Sequence, residues 1–270
     1  IKIIKIAPIT DKGELDINAF ISLLSNKTKL VSITHVSNVL GTINPIKKII
    51  QESHQVGAKV LIDGAQGPAH HRIDVKDLDC DFYCFSGHKM YGPSGIGILY
   101  GKYEHLEEMP PYQGGGDMIE SVTFEETTFA KPPNRFEAGT PAITPIIGLG
   151  AAVKWIQNIG YDTIERIESD CFKKTKDMLN GIKEVKLIGE AEKKDAIFSF
   201  IIQGVHPHDA GTIFDDCNVA IRAGHHCAQP LMARFNVPAT CRASFGIYNE
   251  ASDVIALQHA IEKTIEVFKS

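Results

Sequence analysis

Residues 59–66 read KVLIDGAQ, and residues 82–89 read FYCFSGHK. Each stretch is a short apolar run that ends on a polar residue, Asp63 in the first and Ser86 in the second, which is the pattern of a buried strand followed by a loop. One predicted strand separates Asp63 from Lys89. That separation suits two adjacent loops at the rim of one sheet, where ligands collect at the carboxyl ends of parallel strands.

The rest of the first half alternates between strand-like and helix-like segments. Predicted strands lie at residues 1–6, 30–34, 59–62, 82–85 and 95–100, and predicted helices at residues 16–24 and 45–55. Alternation of this kind predicts an α/β domain with a mainly parallel sheet. A polar, glycine-rich stretch at residues 104–131 is expected to be a long loop that serves as a flap or an interface arm.

The second half predicts a smaller domain. Helical patterns occupy residues 146–159 and 162–183, and short strands near 196–202 and 219–222 alternate with helices near 208–216 and 252–268. We therefore expect a large domain at residues 1–145 and a smaller α+β domain at residues 146–270.

Composition limits the classes of function. The chain of 270 residues is 43% hydrophobic and 23% charged, which is typical of a globular protein. Its formal net charge of −5 argues against nucleic acid as a partner. Six cysteines are too sparse for a disulfide framework and favour a reducing, cytoplasmic compartment. The apolar stretch at residues 142–153 is short and interrupted by Thr144 and Pro145, so no membrane span is predicted.

The start of the chain is unusual. The first residue is Ile rather than Met, and the strand pattern begins without any lead-in. No signal peptide pattern is present. We therefore expect the sequence to be a piece of a longer protein, and an organellar origin stays open because a targeting segment would lie upstream.

Lys89 is a candidate catalytic residue, because it follows a predicted strand and a turn of small residues. A lysine held at the rim of a sheet can be desolvated, which frees its amine to form a Schiff base. The alternative is an ordinary surface lysine. Ser86 and His88 are suited to bind an anion, and Gly87 permits a close backbone approach.

Asp63 is a candidate cofactor partner. In enzymes that use pyridoxal phosphate (PLP), an Asp commonly pairs with the protonated pyridine nitrogen and makes the ring an electron sink. A helix N-cap is the alternative role for an Asp at this position.

Cys227 ends the segment RAGHHC at residues 222–227. Two imidazoles and an arginine near a thiol favour the thiolate and make it nucleophilic. A buried structural cysteine and a metal site on the HHC triplet are the alternatives. Adjacent residues rarely supply a full ligand set, so no metal site is predicted. Arg242 is a candidate clamp for a substrate carboxylate, with a surface salt bridge as its alternative role.

Five motifs occur along the chain in order: THVSNVLG at 34–41, DGAQ at 63–66, SGHK at 86–89, FEAGTP at 136–141 and RAGHHC at 222–227. Together they resemble the SufS-type (group II) cysteine desulfurases, which are class V aminotransferase-like PLP enzymes of fold type I. The resemblance spans nearly the whole chain. Its most specific part is GHHC at 224–227, since related aminotransferases share the Lys and the Asp but lack this cysteine loop.

The resemblance implies roles around the cofactor. Lys89 would carry PLP as a Schiff base and later move protons, and Asp63 would pair with the pyridine nitrogen. Gln66 would approach the ring hydroxyl. Ser86 and His88 would hold the phosphate.

The resemblance also implies roles around the substrate. Asn38 would contact both cofactor and substrate, and Arg242 would hold the substrate carboxylate with help from Arg222. Cys227 would accept the sulfur. Thr140 would reach the phosphate of a neighbouring subunit, which implies a homodimer.

The implied reaction converts L-cysteine to L-alanine and leaves a persulfide on Cys227. The sulfur would then pass to a SufE- or SufU-like acceptor for iron–sulfur cluster assembly, and selenocysteine would be cleaved by the same steps. Family members carry a further N-terminal part, with a phosphate-binding turn and a histidine that stacks on the PLP ring, and neither is found in this sequence. Three alternatives stay open: another class V PLP lyase or aminotransferase, a sulfur carrier that binds no PLP, and an inactive truncated fragment.

Overall fold

The computed structural model describes residues 3–269. Two compact units divide these residues. The Lys89 unit consists of residues 25–34 and 46–158. The Cys227 unit consists of residues 35–45 together with the described parts of 1–24 and 159–270. The domain boundary predicted after residue 145 stays a prediction.

Helices and strands are numbered in chain order. The α-helices are α1 (Ile17–Leu23), α2 (Ile46–Gln55), α3 (Val75–Leu78), α4 (Tyr103–Glu108), α5 (Ile143–Ile159), α6 (Tyr161–Gly181), α7 (Pro207–Asp216), α8 (Gln229–Arg234) and α9 (Ala251–Lys269). The strands are β1 (Leu30–Thr34), β2 (Lys59–Asp63), β3 (Phe82–Ser86), β4 (Gly97–Gly101), β5 (Ile119–Val122), β6 (Thr127–Phe129), β7 (Val185–Ile188), β8 (Ile197–Ile202), β9 (Arg222–Gly224) and β10 (Thr240–Ser244). Short 3-10 turns occupy Gly87–Lys89 and Asn134–Phe136.

The Lys89 unit contains a four-stranded sheet in the order β1-β2-β3-β4. Strands β1, β2 and β3 run parallel, and β4 pairs antiparallel with β3. Val60 and Ile62 of β2 are fully buried and pack with Ile46 and Ile50 of the amphipathic helix α2, because apolar residues at helical spacing form one face that covers the sheet. The prediction of an α/β fold with a mainly parallel sheet is confirmed.

The amino ends of β2 and β3 carry a polar network that the sequence analysis did not anticipate. The buried carboxylate of Asp81 accepts hydrogen bonds from His54 Nε2 at 2.8 Å, His105 Nε2 at 2.7 Å and the backbone N–H of Val60 at 2.7 Å. Lys59 Nζ lies 2.8 Å from His105 Nδ1. A buried carboxylate is stable only when it is paired in this way, so the network stabilises this end of the sheet.

The Cys227 unit contains a four-stranded antiparallel sheet in the order β7-β8-β10-β9. Phe198 and Phe200 of β8 are buried in one core with Phe214 of α7 and with Leu257 and Ile261 of α9. This is the α+β arrangement predicted for the C-terminal part of the chain.

Residues 35–45 belong to the Cys227 unit although they follow β1 of the other unit. Ile43 N donates to Lys193 O at 2.9 Å, and Asp195 N donates to Gly41 O at 2.9 Å. The fully buried hydroxyl of Ser199 donates to Val39 O at 2.7 Å. These bonds hold the segment that carries Asn38 against β8 and the residues before it.

The predicted strand at residues 1–6 and the predicted loop at residues 104–131 differ from the structure. A strand was predicted at residues 1–6; residues 1 and 2 lie outside the described part of the chain, and residues 3–6 have no regular structure and exposed isoleucines. A strand forms only when a partner supplies its hydrogen bonds, and no described residue pairs with this stretch. The stretch at 104–131, predicted as a loop, contains most of α4 and the whole β5–β6 hairpin. Its strands are rich in β-branched residues, and Thr123 N donates to Glu126 O across the turn at 2.8 Å.

Across residues 3–269, the longer helices are each too polar or too short to traverse a lipid bilayer.

Candidate active site

Asp63 lies at the carboxyl end of β2, beside Cys84 of β3. Its Oδ1 accepts a hydrogen bond from Ala65 N at 2.9 Å, which holds the carboxylate in the DGAQ turn. Gln66, in the same turn, is half-buried. Short polar side chains that bond to the backbone two residues ahead stabilise such turns.

Gly64 fixes the position of this turn. A Cβ atom at residue 64 would lie 2.0 Å from Tyr83 Cε1, and Tyr83 is buried. Only glycine therefore lets the turn rest against the tyrosine ring on β3.

The SGHK segment begins at the carboxyl end of β3. Ser86 Oγ lies 2.9 Å from His88 Nδ1, and Gly87 N donates to Ile96 O at 2.9 Å. Lys89 ends the 3-10 turn with an exposed side chain. The expectation that burial desolvates this lysine is therefore not met in the described chain. Thr140 is also exposed, and it follows Gly139, whose φ is +77°.

The Cys227 loop, residues 224–228, leaves β9 with an unusual backbone. Gly224 has a φ of +131°, His226 has +54° and Cys227 has +61°. Non-glycine residues avoid positive φ, and such conformations persist where surrounding contacts enforce them, often at functional sites.

Cys227 differs from the other cysteines in its exposure. Cys80, Cys171 and Cys241 are buried, whereas Cys227 is exposed. Burial raises the pKa of Cys80 to about 11 and that of Cys241 to about 12, so these thiols are unreactive at neutral pH. The alternative role of a buried structural cysteine therefore suits Cys80, Cys171 and Cys241 but not Cys227.

Arg222 and His226, which both lie near Cys227, differ in charge. Arg222 Nη2 lies 3.7 Å from Cys227 Sγ, so a permanent cation faces the sulfur. His226 is only 2% exposed, and its Nε2 lies 2.8 Å from Thr240 Oγ1 and 3.2 Å from Thr240 O. Burial, Arg242 and Arg222 lower the pKa of His226 to about 4. The expectation that two imidazoles favour the thiolate is therefore wrong for His226, which is neutral at pH 7.

Asn38 is hydrogen-bonded to the Cys227 loop, and Arg242 is hydrogen-bonded to Asn38. Asn38 Nδ2 donates to His226 O at 3.0 Å, and Arg242 Nη1 donates to Asn38 O at 2.8 Å. Burial, followed by Arg222, lowers the pKa of Arg242. The buried Nε of Arg242 has no hydrogen-bond partner among residues 3–269.

A cavity of about 430 Å³ opens beside this loop, lined by residues 222, 223, 225–227, 229 and 230. That volume is in the range of small-ligand sites. No group of three or more His, Cys, Asp or Glu side chains in the described part of the chain is arranged to hold a metal ion.

A sequence profile of the family described as "Aminotransferase class-V" matches residues 2–257. This chain belongs to that family. It is 48% identical over 261 residues to a probable cysteine desulfurase of Halalkalibacterium halodurans, and 47% identical over 266 residues to a cysteine desulfurase of Dickeya dadantii. Each alignment covers 97% of this chain and 64% of the relative, so the chain spans just under two thirds of the length of these relatives.

Two solved structures resemble this class V chain closely. The cysteine desulfurase CsdA of Escherichia coli superposes with a TM-score of 0.92 at 37% identity, covering 97% of this chain and 65% of that one. The apo cysteine desulfurase of Thermococcus onnurineus superposes with a TM-score of 0.93 at 37% identity, covering 97% and 66%. The fold type expected from the sequence motifs is thereby confirmed.

Class V aminotransferases and cysteine desulfurases depend on PLP. The donor set at the rim of the Lys89 unit fits that cofactor. It offers an amine on Lys89, a carboxylate on Asp63, and a hydroxyl and an imidazole 2.9 Å apart on Ser86 and His88. The DGAQ turn also lacks the Cβ at Gly64 that would push it away from β3.

Sequence reasoning missed Thr240 as a partner of the Cys227 loop. Thr240 lies 14 residues from His226, on β10, opposite Gly224 of β9. The alternation typical of a strand is the only local signal at this position, and it does not reveal which loop the hydroxyl meets.

Proposed function

We propose that this protein is a PLP-dependent cysteine desulfurase that moves sulfur from L-cysteine onto Cys227 and releases L-alanine. The observation that carries the proposal is an exposed thiol on a left-handed loop, with the Arg222 guanidinium 3.7 Å from its sulfur. Relatives with 46–48% identity bear the name cysteine desulfurase, which supports the same activity.

The sulfur step is balanced in atoms and electrons. The Cys227 thiolate forms an S–S bond with the sulfur of the substrate as the Cβ–S bond of the substrate breaks. The electron pair of that bond stays on the carbon, which gains a proton and leaves as the methyl group of alanine. The sulfur that remains on Cys227 is oxidised to the persulfide level, and Arg222 stabilises the negative charge of the attacking thiolate.

Proton movement at the substrate is assigned to Lys89. PLP, when bound, supplies an electron-accepting ring that makes the Cα proton of an amino acid removable. Lys89 would hold the cofactor through its Nζ and then carry protons, while the Asp63 carboxylate would keep the ring nitrogen protonated. Gln66 would contact the ring hydroxyl, and the Ser86 and His88 pair would bind the phosphate.

Substrate recognition is assigned to the group around Asn38. Arg242 and Asn38 would hold the carboxylate of L-cysteine, with assistance from Arg222, because guanidinium groups bind carboxylates through paired N–H donors. The buried Nε of Arg242, which has no partner among residues 3–269, supports this assignment. Asn38 would also contact the cofactor.

The finer assignments rest on the motifs. The GHHC loop supports a SufS-type enzyme, and an exposed Cys227 suits transfer of the persulfide sulfur to a SufE- or SufU-like protein that feeds iron–sulfur cluster assembly. The same steps would cleave L-selenocysteine. A cytoplasmic location is proposed on the sparse cysteines.

We further propose a homodimer in which Thr140 contacts the phosphate bound by the other subunit. Exposed apolar side chains on residues 109–129, including Tyr112, Val122 and Phe124, support a covered surface in that segment. Sedimentation of the native protein at micromolar concentration should give twice the mass of one chain. The mass of a single chain would contradict the dimer.

The test of the activity compares Cys227→Ala with Cys217→Ala in the native protein. Alanine released from L-cysteine should fall on the order of a hundredfold or more in Cys227→Ala, because the sulfur acceptor is gone. Cys217→Ala, at a half-buried cysteine, should stay near the wild-type rate. Both variants should keep the visible absorbance of bound PLP, and Lys89→Ala should lose it.

Mass spectrometry completes the test. After addition of L-cysteine, the peptide that contains residue 227 should gain one sulfur atom in the wild type. Unchanged alanine release by Cys227→Ala would overturn the proposal in favour of another class V lyase or aminotransferase. Absence of PLP absorbance in the native wild type would favour a sulfur carrier without a cofactor.

A further inference from the structure

The backbone of the Cys227 loop is held in a conformation that it would not adopt on its own. His226 and Cys227 are consecutive non-glycine residues with positive φ. Each such residue is disfavoured, and the conformation persists only when neighbouring contacts enforce it. Contacts from outside the loop must therefore hold it.

Two contacts act directly on His226. Its backbone oxygen accepts a hydrogen bond from Asn38 Nδ2 at 3.0 Å. Its side chain lies against Thr240, with Nε2 at 2.8 Å from Oγ1 and 3.2 Å from the carbonyl oxygen. A carbonyl oxygen only accepts hydrogen bonds, so Nε2 carries the proton and Nδ1 is unprotonated. The buried Nδ1 has no partner among residues 3–269.

Thr240 attaches the imidazole of His226 to the sheet of the Cys227 unit. It is fully buried, and it pairs with Gly224 on the strand that leads into the loop. The next residue on β10, Cys241, pairs with Phe200 of the core strand β8. The imidazole of His226 therefore connects the loop to an inner strand of the sheet.

We propose that His226 and Thr240 are positioning residues for sulfur transfer: the imidazole, bound to the threonine, holds the backbone that keeps Cys227 Sγ beside the Arg222 guanidinium. This inference rests on the proposed function and deepens it. His226 touches no reacting atom in this role, because its Nε2 is bound to Thr240 and its ring is buried. Burial and two nearby arginines favour the neutral form of the ring at pH 7.

Three variants of the native protein separate positioning from general stability. Thr240→Val keeps the size and branching of the side chain and removes the hydroxyl. Thr240→Ser keeps the hydroxyl. Thr175→Val is the matched control, because Thr175 is also fully buried in the Cys227 unit and its hydroxyl has no hydrogen-bond partner in the described part of the chain.

The first measurement determines kcat and KM for L-cysteine separately. Thr240→Val should lower kcat on the order of tenfold, since a small displacement of a reacting group is costly, while KM and PLP content stay within about twofold of wild type. Thr240→Ser should restore most of kcat, and Thr175→Val should change neither constant. An equal loss of kcat in both valine variants would overturn the proposal.

The second readout needs no enzymatic activity. Amide hydrogen exchange in residues 225–228 should become at least several-fold faster in Thr240→Val than in Thr175→Val. His226→Asn, which removes the imidazole but tolerates a left-handed backbone, should show the same increase. Unchanged exchange in both loop variants would overturn the proposal. If the wild type released no alanine from L-cysteine, the proposed function would fail, and this exchange measurement would still decide whether the loop is held in this way.

Discussion

His226 shows how one buried side chain differs from its neighbours in the same motif. His225 and Cys227 on either side of it are exposed, whereas His226 is 2% exposed and bonded to Thr240. Within the motif HHC, His226 therefore connects the loop to Thr240, and Cys227 presents an exposed thiol.

The buried imidazole makes stability depend on pH. Burial, Arg242 and Arg222 lower the folded-state pKa of His226 to about 4, whereas an unfolded His titrates near 6.5. Between these values the unfolded chain binds a proton that the folded chain does not, so stability falls as pH falls from about 6.5 to 4. The loss is on the order of 3 kcal/mol, and no change from this group is expected above about pH 7.

Urea unfolding of the native protein at pH 7.5 and pH 5 measures this effect. The wild type should lose more unfolding free energy on acidification than His226→Asn, which has no titrating ring at this site. His259→Asn, at an exposed position on α9, should behave like the wild type. Equal losses in the wild type and His226→Asn would contradict the prediction.

At the scale of elements, the turn that follows β2 lies in close contact with β3. The DGAQ turn after β2 rests on the ring of Tyr83 in β3, with no room for a Cβ at Gly64. The same two strands begin at the Asp81 network. One end of the strand pair is therefore tied by buried polar bonds, and the other carries the residues proposed to bind the cofactor.

Gly64→Ala tests that close approach. The new methyl group would lie about 2 Å from the buried Tyr83 ring, so the turn must move, and we expect a loss of about 1–3 kcal/mol in unfolding free energy with weaker PLP absorbance. Gly150→Ala is the control, because Gly150 lies within α5 with open space around its Cα, and alanine there should stabilise by about 0.5–1 kcal/mol. Two variants of equal stability would show that the turn tolerates the methyl group.

The elements were predictable where a short-range pattern was clear. Strands β2 and β3 and helix α2 follow apolar patterns that the structure confirms within a residue or two. The β5–β6 hairpin was not predicted, because glycine and charged residues around it resemble a loop and its pairing is settled by the turn at Thr123 and Glu126. The strand predicted near residues 219–222 lies instead at Arg222–Gly224, since the register against β10 decides which residues pair.

At the scale of the molecule, each unit has its own apolar core. Phe200, fully buried in β8, packs among residues of the Cys227 unit, and Ile62, fully buried in β2, packs among residues of the Lys89 unit. The two units carry different functional groups: an amine, a hydroxyl and an imidazole at the rim of one sheet, and a thiol with arginines in the other unit.

Phe200→Ala tests whether the cores are separate. We expect a loss of about 3–5 kcal/mol from the cavity and the lost apolar contacts. Amide hydrogen exchange should become faster in β8 and β10 and change little in β2 and β3. Ile62→Val, a smaller deletion in the other core, should have the reverse pattern with a loss of about 1 kcal/mol. Equal acceleration in both sheets would show that the cores open together.

The residues of the candidate site could be proposed from the sequence, but their contacts could not. The motifs indicated Asp63, Lys89 and Cys227 as candidates from the sequence alone, because these residues follow predicted strands or lie in distinctive motifs. The neutrality of His226 was not predictable, since it depends on burial and on two arginines that only the fold brings near. The exposure of Lys89 was likewise opposite to what its position suggested.

The sequence by itself determined the fold class, the family and the residues proposed to carry chemistry, because apolar periodicity and motif spacing act over a few residues. Only the tertiary structure decided which distant residues meet: Asn38 binds His226 across 188 positions of sequence, and Thr240 binds it across 14. Such pairs depend on strand register and on the packing of whole elements. The free energy of a buried hydrogen bond depends on both partners being in place, so no local pattern could have revealed them.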